Sequence, residues 1–291
     1  MALLTFLFAA VATPARDIDL VRARVLETPS FAGSPLPPAS PRPATRLILV
    51  SSRPVKPTDT EQAWQARNGL DPIRLEAPNS DDTLGGNSLN DVPRDFRGAP
   101  LQQAIIQPRG AALLVYGAGP ASTSAGGGRF VFRFDPTNRS IRYGFDFDRF
   151  AYPTQQERQY DTNGFGFTRQ GVLWAEEQNG ILYVATAYNG YARESNGRNA
   201  YVTAVRVADG RIIWRSPPLV ASANNFLMRG DVIVCGYGFT DEKDFLYALD
   251  RRTGRIVQRV ALKSAPEHLR LKGDRVYVRC YDMDYVFRLK G

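Results

Sequence analysis

The sequence predicts an all-β chain folded as a β-propeller of four-stranded antiparallel blades, about five in number with four to six admissible. Three observations carry the prediction. The stretch "FLYALDRRTGRIVQRV", starting at Phe245, repeats the pattern of "YVTAVRVADGRIIWRS", starting at Tyr201: an alternating strand, an Asp-to-Gly turn, then a second apolar run. The turn glycines keep that step, with Gly180, Gly230 and Gly273 spaced by 50 and 43 residues and Gly210 and Gly254 by 44. A period of this size belongs to propeller blades or solenoid turns. Finally, the last unit holds only three strands, which leaves room for one from the N-terminal part of the chain.

The elements follow in chain order. Residues 1–15, "MALLTFLFAAVATPA", form an apolar run too short to anchor in a bilayer and ending in small residues, as a cleaved export signal does. A periplasmic or secreted location is expected, without a transmembrane anchor. Residues 16–44 hold a candidate closing strand, "DLVRARVLE", and the Pro-rich linker "TPSFAGSPLPPASPRPA". The propeller spans 45–291. Its first part, 45–99, reads as a degenerate blade or an insertion and contains a second candidate closing strand, "TRLILVSS". Clear blades follow at about 100–147, 171–216, 224–262 and 267–291. Each pairs two hairpins, with turns such as Asn179-Gly180 and Asp209-Gly210 that suit left-handed backbone.

Composition narrows the function. The net charge of +8 comes from 37 basic against 29 acidic residues. It admits an anionic surface as partner, but without a block of like charges it does not indicate nucleic acid. Two cysteines, Cys235 and Cys280, are too few for a disulfide scaffold. Their equal parity in successive strands predicts that they do not bond to each other. A single histidine, His268, rules out a triad or a His-rich metal site within this chain. The acid pairs in "DFDRF" and "DMDY" lack the spacing of a calcium loop. No catalytic constellation and no cofactor site is read from the residues.

"LYALDRRTG" (Leu246 to Gly254) and "DGRIIW" (Asp209 to Trp214) resemble the repeat of pyrroloquinoline-quinone-like propellers. The resemblance runs from residue 100 to the end. It looks more like the non-enzymatic members, including the periplasmic accessory propeller of the outer-membrane barrel-assembly machine, than the larger dehydrogenases with a vicinal cysteine pair. It implies a protein-binding or scaffolding module in a cell-envelope complex. The alternative is an enzyme with a site in the propeller channel, acting on a glycan or a redox substrate.

Loop lengths locate the working surface. In a blade, the first and third turns lie on one face of the disc and the middle loop on the other. Here the first set is tight throughout, while the second includes "GAGPASTSAGGG", "NGYARESNGRN" and "GFTDEKD", together with the connection "DRFAYPTQQERQYDTNG". Long loops on a rigid scaffold carry function, and Tyr and Arg are enriched at binding hot spots. The candidate partner-binding residues are therefore Tyr152, Arg158, Tyr160, Tyr191, Arg193, Arg198 and Phe239.

Overall fold

The computed structural model describes residues 24–27, 43–56, 58–71, 75–76, 92–93, 95–107, 111–117, 128–135, 137–138, 140–147, 170–188, 190–195 and 197–291. The expected export signal and most of the linker lie outside them. The chain runs β1 (Arg24–Glu27), β2 (Arg46–Pro54), α1 (Glu61–Asn68), β3 (Leu75–Glu76) and β4 (Asp95–Phe96), and then enters the blades. Blade one is β5 (Ala99–Ile106), β6 (Ala112–Tyr116), β7 (Phe130–Asp135) and β8 (Ser140–Asp146). Blade two is β9 (Gly171–Gln178), β10 (Ile181–Ala187), β11 (Tyr201–Arg206) and β12 (Ile212–Arg215). Blade three is β13 (Leu227–Arg229), β14 (Val232–Tyr237), β15 (Phe245–Asp250) and β16 (Ile256–Ala261). Blade four adds β17 (Pro266–Lys272), β18 (Arg275–Cys280) and β19 (Met283–Lys290).

Blade four is completed from the N-terminal side: β2 pairs antiparallel with β19 from Arg46 against Lys290 to Pro54 against Met283. Of the two closing strands expected, the second makes this sheet, whereas β1 adds in parallel to the outer edge of β8. Among the described residues there are four blades, the low end of the expected range. The segment 45–99, read as a degenerate blade or insertion, supplies β2, α1 and the short β3 and β4. The last two pair with β5.

Local sequence explains the strands. β14, β15 and β18 bury almost every residue, as a middle strand packed on both faces must. Asn179 and Gly180 both have positive φ, 55° and 73°, the geometry of the tight hairpin turn that matches strand twist. Gly254 has φ 70°, and a Cβ there would stand 2.4 Å from Cε3 of Trp214. Trp214 thus lies between blades two and three, its Nε1 donating to the Arg251 carbonyl at 3.1 Å.

Apolar packing runs from blade to blade. One cluster joins blades one, two and three, from Val131 and Phe145 through Val184 and Trp214 to Ile233 and Tyr247. A second joins blades three and four, with Val234 and Leu246 facing Val278 and Phe287. Each large side chain buried here contributes about 1.5–3 kcal/mol. Cys235 sits in the first cluster and Cys280 in the second, both buried and unbonded. The shared parity explains it, since each points to the same side of its own sheet.

The two ends of this series are covered differently. Blade one packs its other face on Val92 and Phe96, whose ring meets Phe130 and Phe132 edge-on at 5.0 and 4.8 Å. Blade four is covered by α1. Thr60 caps the helix by accepting from Ala63 N–H at 3.2 Å, and Gly69 ends it in left-handed geometry. Trp64 and Leu70 pack on Tyr277. Around them is an ionic network: Asp59 lies 2.6 Å from Arg53 and 2.9 Å from Arg67, while Asp284 lies 3.1 Å from Arg67 and 3.2 Å from Arg279. The Arg67 hydrogen bond holds Asp59 below the usual carboxylate range, whereas burial pushes Asp284 above it despite its arginines. Glu61 at the start of the helix pairs with Arg270 at 2.7 Å and lies 3.2 Å from His268.

Candidate functional site: the long-loop face

The loops between the second and third strands of blades two and three, 188–200 and 238–244, are built rather than slack. Asn199 closes the neck of the first, its Oδ1 accepting from Tyr188 N–H at 3.0 Å and its Nδ2 donating to the Tyr188 carbonyl at 3.1 Å. Beyond this neck, a 3-10 turn, Ala192–Ser195, is fastened by Ser195 Oγ donating to the Ala192 carbonyl at 3.0 Å. The Tyr188 hydroxyl donates to the Tyr191 carbonyl. In the second loop, Asp241 takes positive φ and Glu242 N–H returns to the Phe239 carbonyl at 3.0 Å.

Glu242 ties the loops together. Its Oε1 accepts from Ala192 N–H at 2.6 Å and its Oε2 from the Tyr237 hydroxyl. That bridge sets the Tyr191 and Phe239 rings edge to face, 4.9 Å apart at 83°, and the Arg193 guanidinium lies 4.6 Å from the centre of the Tyr191 ring. Both rings are half-buried and Arg193 is exposed. Three of the seven predicted residues, from two blades, therefore form one cluster.

Arg198 is exposed on the same loop but stands outside the ring cluster. Its backbone carbonyl accepts from Gln170 Nε2 at 2.5 Å. Tyr152, Arg158 and Tyr160 lie outside the described residues. Sequence reasoning missed Glu242 and Tyr281. Tyr281 is 78% exposed, and its N–H donates at 3.3 Å to the carbonyl of Ala265, the residue packed against Gly238. It therefore extends the rim from Phe239 towards blade four. Its signal in the sequence is an aromatic next to an acid in a short turn, Tyr281-Asp282.

The nearby carboxylates have separate roles. Asp282 accepts from the Ser264 hydroxyl and lies 2.9 Å from Lys263 Nζ; the Ser264 bond, then the Lys263 bond, hold it below the usual range. Asp244 is raised to about 6, first by burial and then by the charge of Asp282, and its Oδ1 has no hydrogen-bond partner. Among the described residues no group of His, Cys, Asp and Glu side chains is arranged to hold a metal.

The short-turn face carries a cleft of about 480 Å³ between blades one and two, lined by Arg133, Asp135, Arg142, Tyr143 and Glu177. Its charged groups answer one another: Arg142 lies 2.7 Å from Asp135, Arg133 lies 3.5 Å from Glu177, and the Tyr143 hydroxyl donates to Glu177 at 2.9 Å.

No protein-family profile and no curated protein matches the chain. Solved structures resemble it as folds. The computationally designed Ika8 protein superposes with a TM-score of 0.35 at 9% identity, over 61% of this chain and 42% of that one. BamB from Moraxella catarrhalis gives 0.33 at 12%, over 64% and 69%. The Dos1 propeller gives 0.38 at 10%, over 65% and 43%. The chain thus spans less than half the length of the first and the last of these. At such scores the likeness bears on neither ligand nor partner. No helix among the described residues is long and apolar enough to cross a membrane.

Proposed function

We propose that this chain is an exported propeller of the quinone-like repeat type that docks a protein partner, in a cell-envelope complex, on its long-loop face, without chemistry of its own. One observation carries the reading. Tyr191, Phe239 and Arg193 converge from two blades into a partly exposed aromatic and cationic cluster, locked by Glu242. Rigid aromatic and arginine anchors lose little entropy on binding and dominate interface energetics. Tyr281 lengthens the same rim.

Site-specific photocrosslinking in the producing cell tests this. A crosslinker at Tyr191 or Tyr281 should capture one defined envelope protein, and one at Arg229, exposed on the short-turn face, should not. Replacing Tyr191 and Arg193 together with Ala should weaken the captured complex by about 2 kcal/mol or more. Capture from Arg229 alone would move the site to the other face.

A second reading, acid–base chemistry at this rim, is favoured by one observation: Asp244 is raised to about 6 while neighbouring Asp282 is lowered, and divergent carboxylates are what a general acid and its partner require. Binding is the better reading, because Asp282 and Glu242 are each engaged in holding loop backbone or side chains. Hydrolysis of a glycan panel, abolished by Asp244→Asn at unchanged stability, would reverse that order.

A further inference from the structure

The short turns of blades three and four end in cations. On blade four, Lys272, Arg275 and Arg288 stand directly opposite one another across β17, β18 and β19, and Lys290 stands opposite Arg46 across β19 and β2. Like charges facing each other across a sheet are destabilising, so packing alone does not account for this end of the blade. Blade three adds Arg229 and Arg255 from its own two turns. Arg229, Arg255, Arg275 and Lys290 are exposed and form no ion pair among the described residues.

The acids at this end do not cancel them. Asp274 lies 3.3 Å from Arg288. Asp250 is buried, accepts from Arg252 N–H at 2.8 Å and lies 3.8 Å from its Nε. Asp231 accepts from the Thr45 hydroxyl at 2.8 Å. Asp71 follows the end of α1, where the Gly69 carbonyl accepts from Lys272 at 2.7 Å. Arg46 likewise donates to neutral groups, the carbonyls of Pro43 and Thr45, which leaves its charge in place. Arg53, at the far end of β2, belongs to the Asp59 network. At the short-turn ends of blades one and two, by contrast, Arg142 meets Asp135 and Arg206 meets Asp209.

Apolar side chains gather at the same corner. Gln258 binds Leu47 by both halves of its amide, so the outer strands β16 and β2 meet there. Beside Arg255 is Ile256, 40% exposed, and two residues from Arg46 begins the strip Ile48, Leu49 and Val50, at 46%, 53% and 46%. The exposed aromatic, Tyr281, is at the opposite end of blade four, where a nucleic acid held by these cations could not stack on it. Cations beside exposed aliphatic side chains suit a layer that is anionic at its surface and apolar beneath. We infer that this corner docks peripherally on an anionic lipid surface, with Arg229, Arg255, Arg275 and Lys290 on headgroup phosphates and Ile256 and Ile48 entering below them. The long-loop face, at the other end of the blades, stays free for a protein partner.

Flotation of the full chain with vesicles tests this, using phosphatidylcholine alone or mixed in equal parts with phosphatidylglycerol. Binding should require phosphatidylglycerol and fall as salt screens it. Arg275→Glu should weaken binding about tenfold or more, with the melting temperature unchanged or raised, because the new carboxylate faces Lys272 and Arg288. Lys290→Glu, facing Arg46, should do the same. Lys243→Glu, an equal change of charge at the exposed long-loop end, should leave binding within about twofold. Ile256→Ser, which keeps every charge, should also weaken binding to the vesicles. Equal losses from Arg275→Glu and Lys243→Glu would make the effect one of total charge, and undiminished binding of Ile256→Ser would make it one of charge alone. Tighter binding to duplex DNA or polyglutamate than to the vesicles would name a polyanion as the partner. Each of these overturns the inference, as does a chain that fails to float with either vesicle.

Discussion

Gln258, on the outer strand of blade three, holds Leu47 on the outer strand of blade four by both halves of its amide, at 2.7 and 2.8 Å. A side chain here does the work of a neighbouring strand. Gln258→Ala should leave one backbone donor and one acceptor short of partners at a partly buried site and cost about 1–2 kcal/mol. Urea unfolding with an unchanged slope and a lowered midpoint would show it; an unmoved midpoint would mean that water substitutes fully.

Gly254→Ala should cost more. The position combines φ 70° with a Cβ site 2.4 Å from the Trp214 ring. Left-handed backbone costs a non-glycine residue roughly 1–2 kcal/mol and overpacking roughly 1–3. The double variant with Trp214→Phe should be less damaged than the sum of the two, because both changes act on one contact. Strict additivity would count against the packing account.

Stability should respond to pH through Asp244. Its folded-state value of about 6 lies above its reference of 3.8, so the folded protein holds this proton more tightly than the unfolded chain. That contribution is complete below about pH 4 and is lost as pH rises through about 6. Glu176, beside Trp174 and raised by burial to about 7, acts with the same sign a little higher. In thermal melts from pH 4 to 8, Asp244→Asn should gain on the unaltered chain as pH rises. A constant difference across the range would show that Asp244 is not the group responsible.

Truncation separates the roles of the N-terminal strands. Removing residues 1–52 takes away most of β2 and bares the edge of β19 along its pairing from Arg46 to Ser52. Melting temperature and solubility should fall sharply. Removing residues 1–42 spares β2 and deletes β1, whose four residues pair with β8 alone, and should cost much less. Equal losses would show that β1 is the more important closure.

The blades were legible in the sequence because hairpins are local: Asn179-Gly180 and Gly254 declare turns through backbone geometry that few other residues adopt. The site was half legible. Tyr191, Arg193 and Phe239 could be placed on one face by loop length, but the Glu242 bridge joins residues 50 apart in sequence and leaves no pattern. The cover over blade four was not legible, since Arg279 meets Asp59 across 220 residues. A lone Thr-capped helix in a poorly patterned segment does not announce which sheet it will cover.

The pairing of β2 with β19 also has a consequence in time. The strand is made before its partner, with more than two hundred residues between Pro54 and Met283. At ~5–20 residues per second, synthesis of that interval takes roughly 10–50 s. Throughout it "LILV" is an orphan: apolar and without the strand it pairs with. Until Met283 and the residues after it are made, this segment has only other chains or chaperones to cover it, so the wait for a distant partner is a window for misassociation that local hairpins such as Asn179-Gly180 do not have.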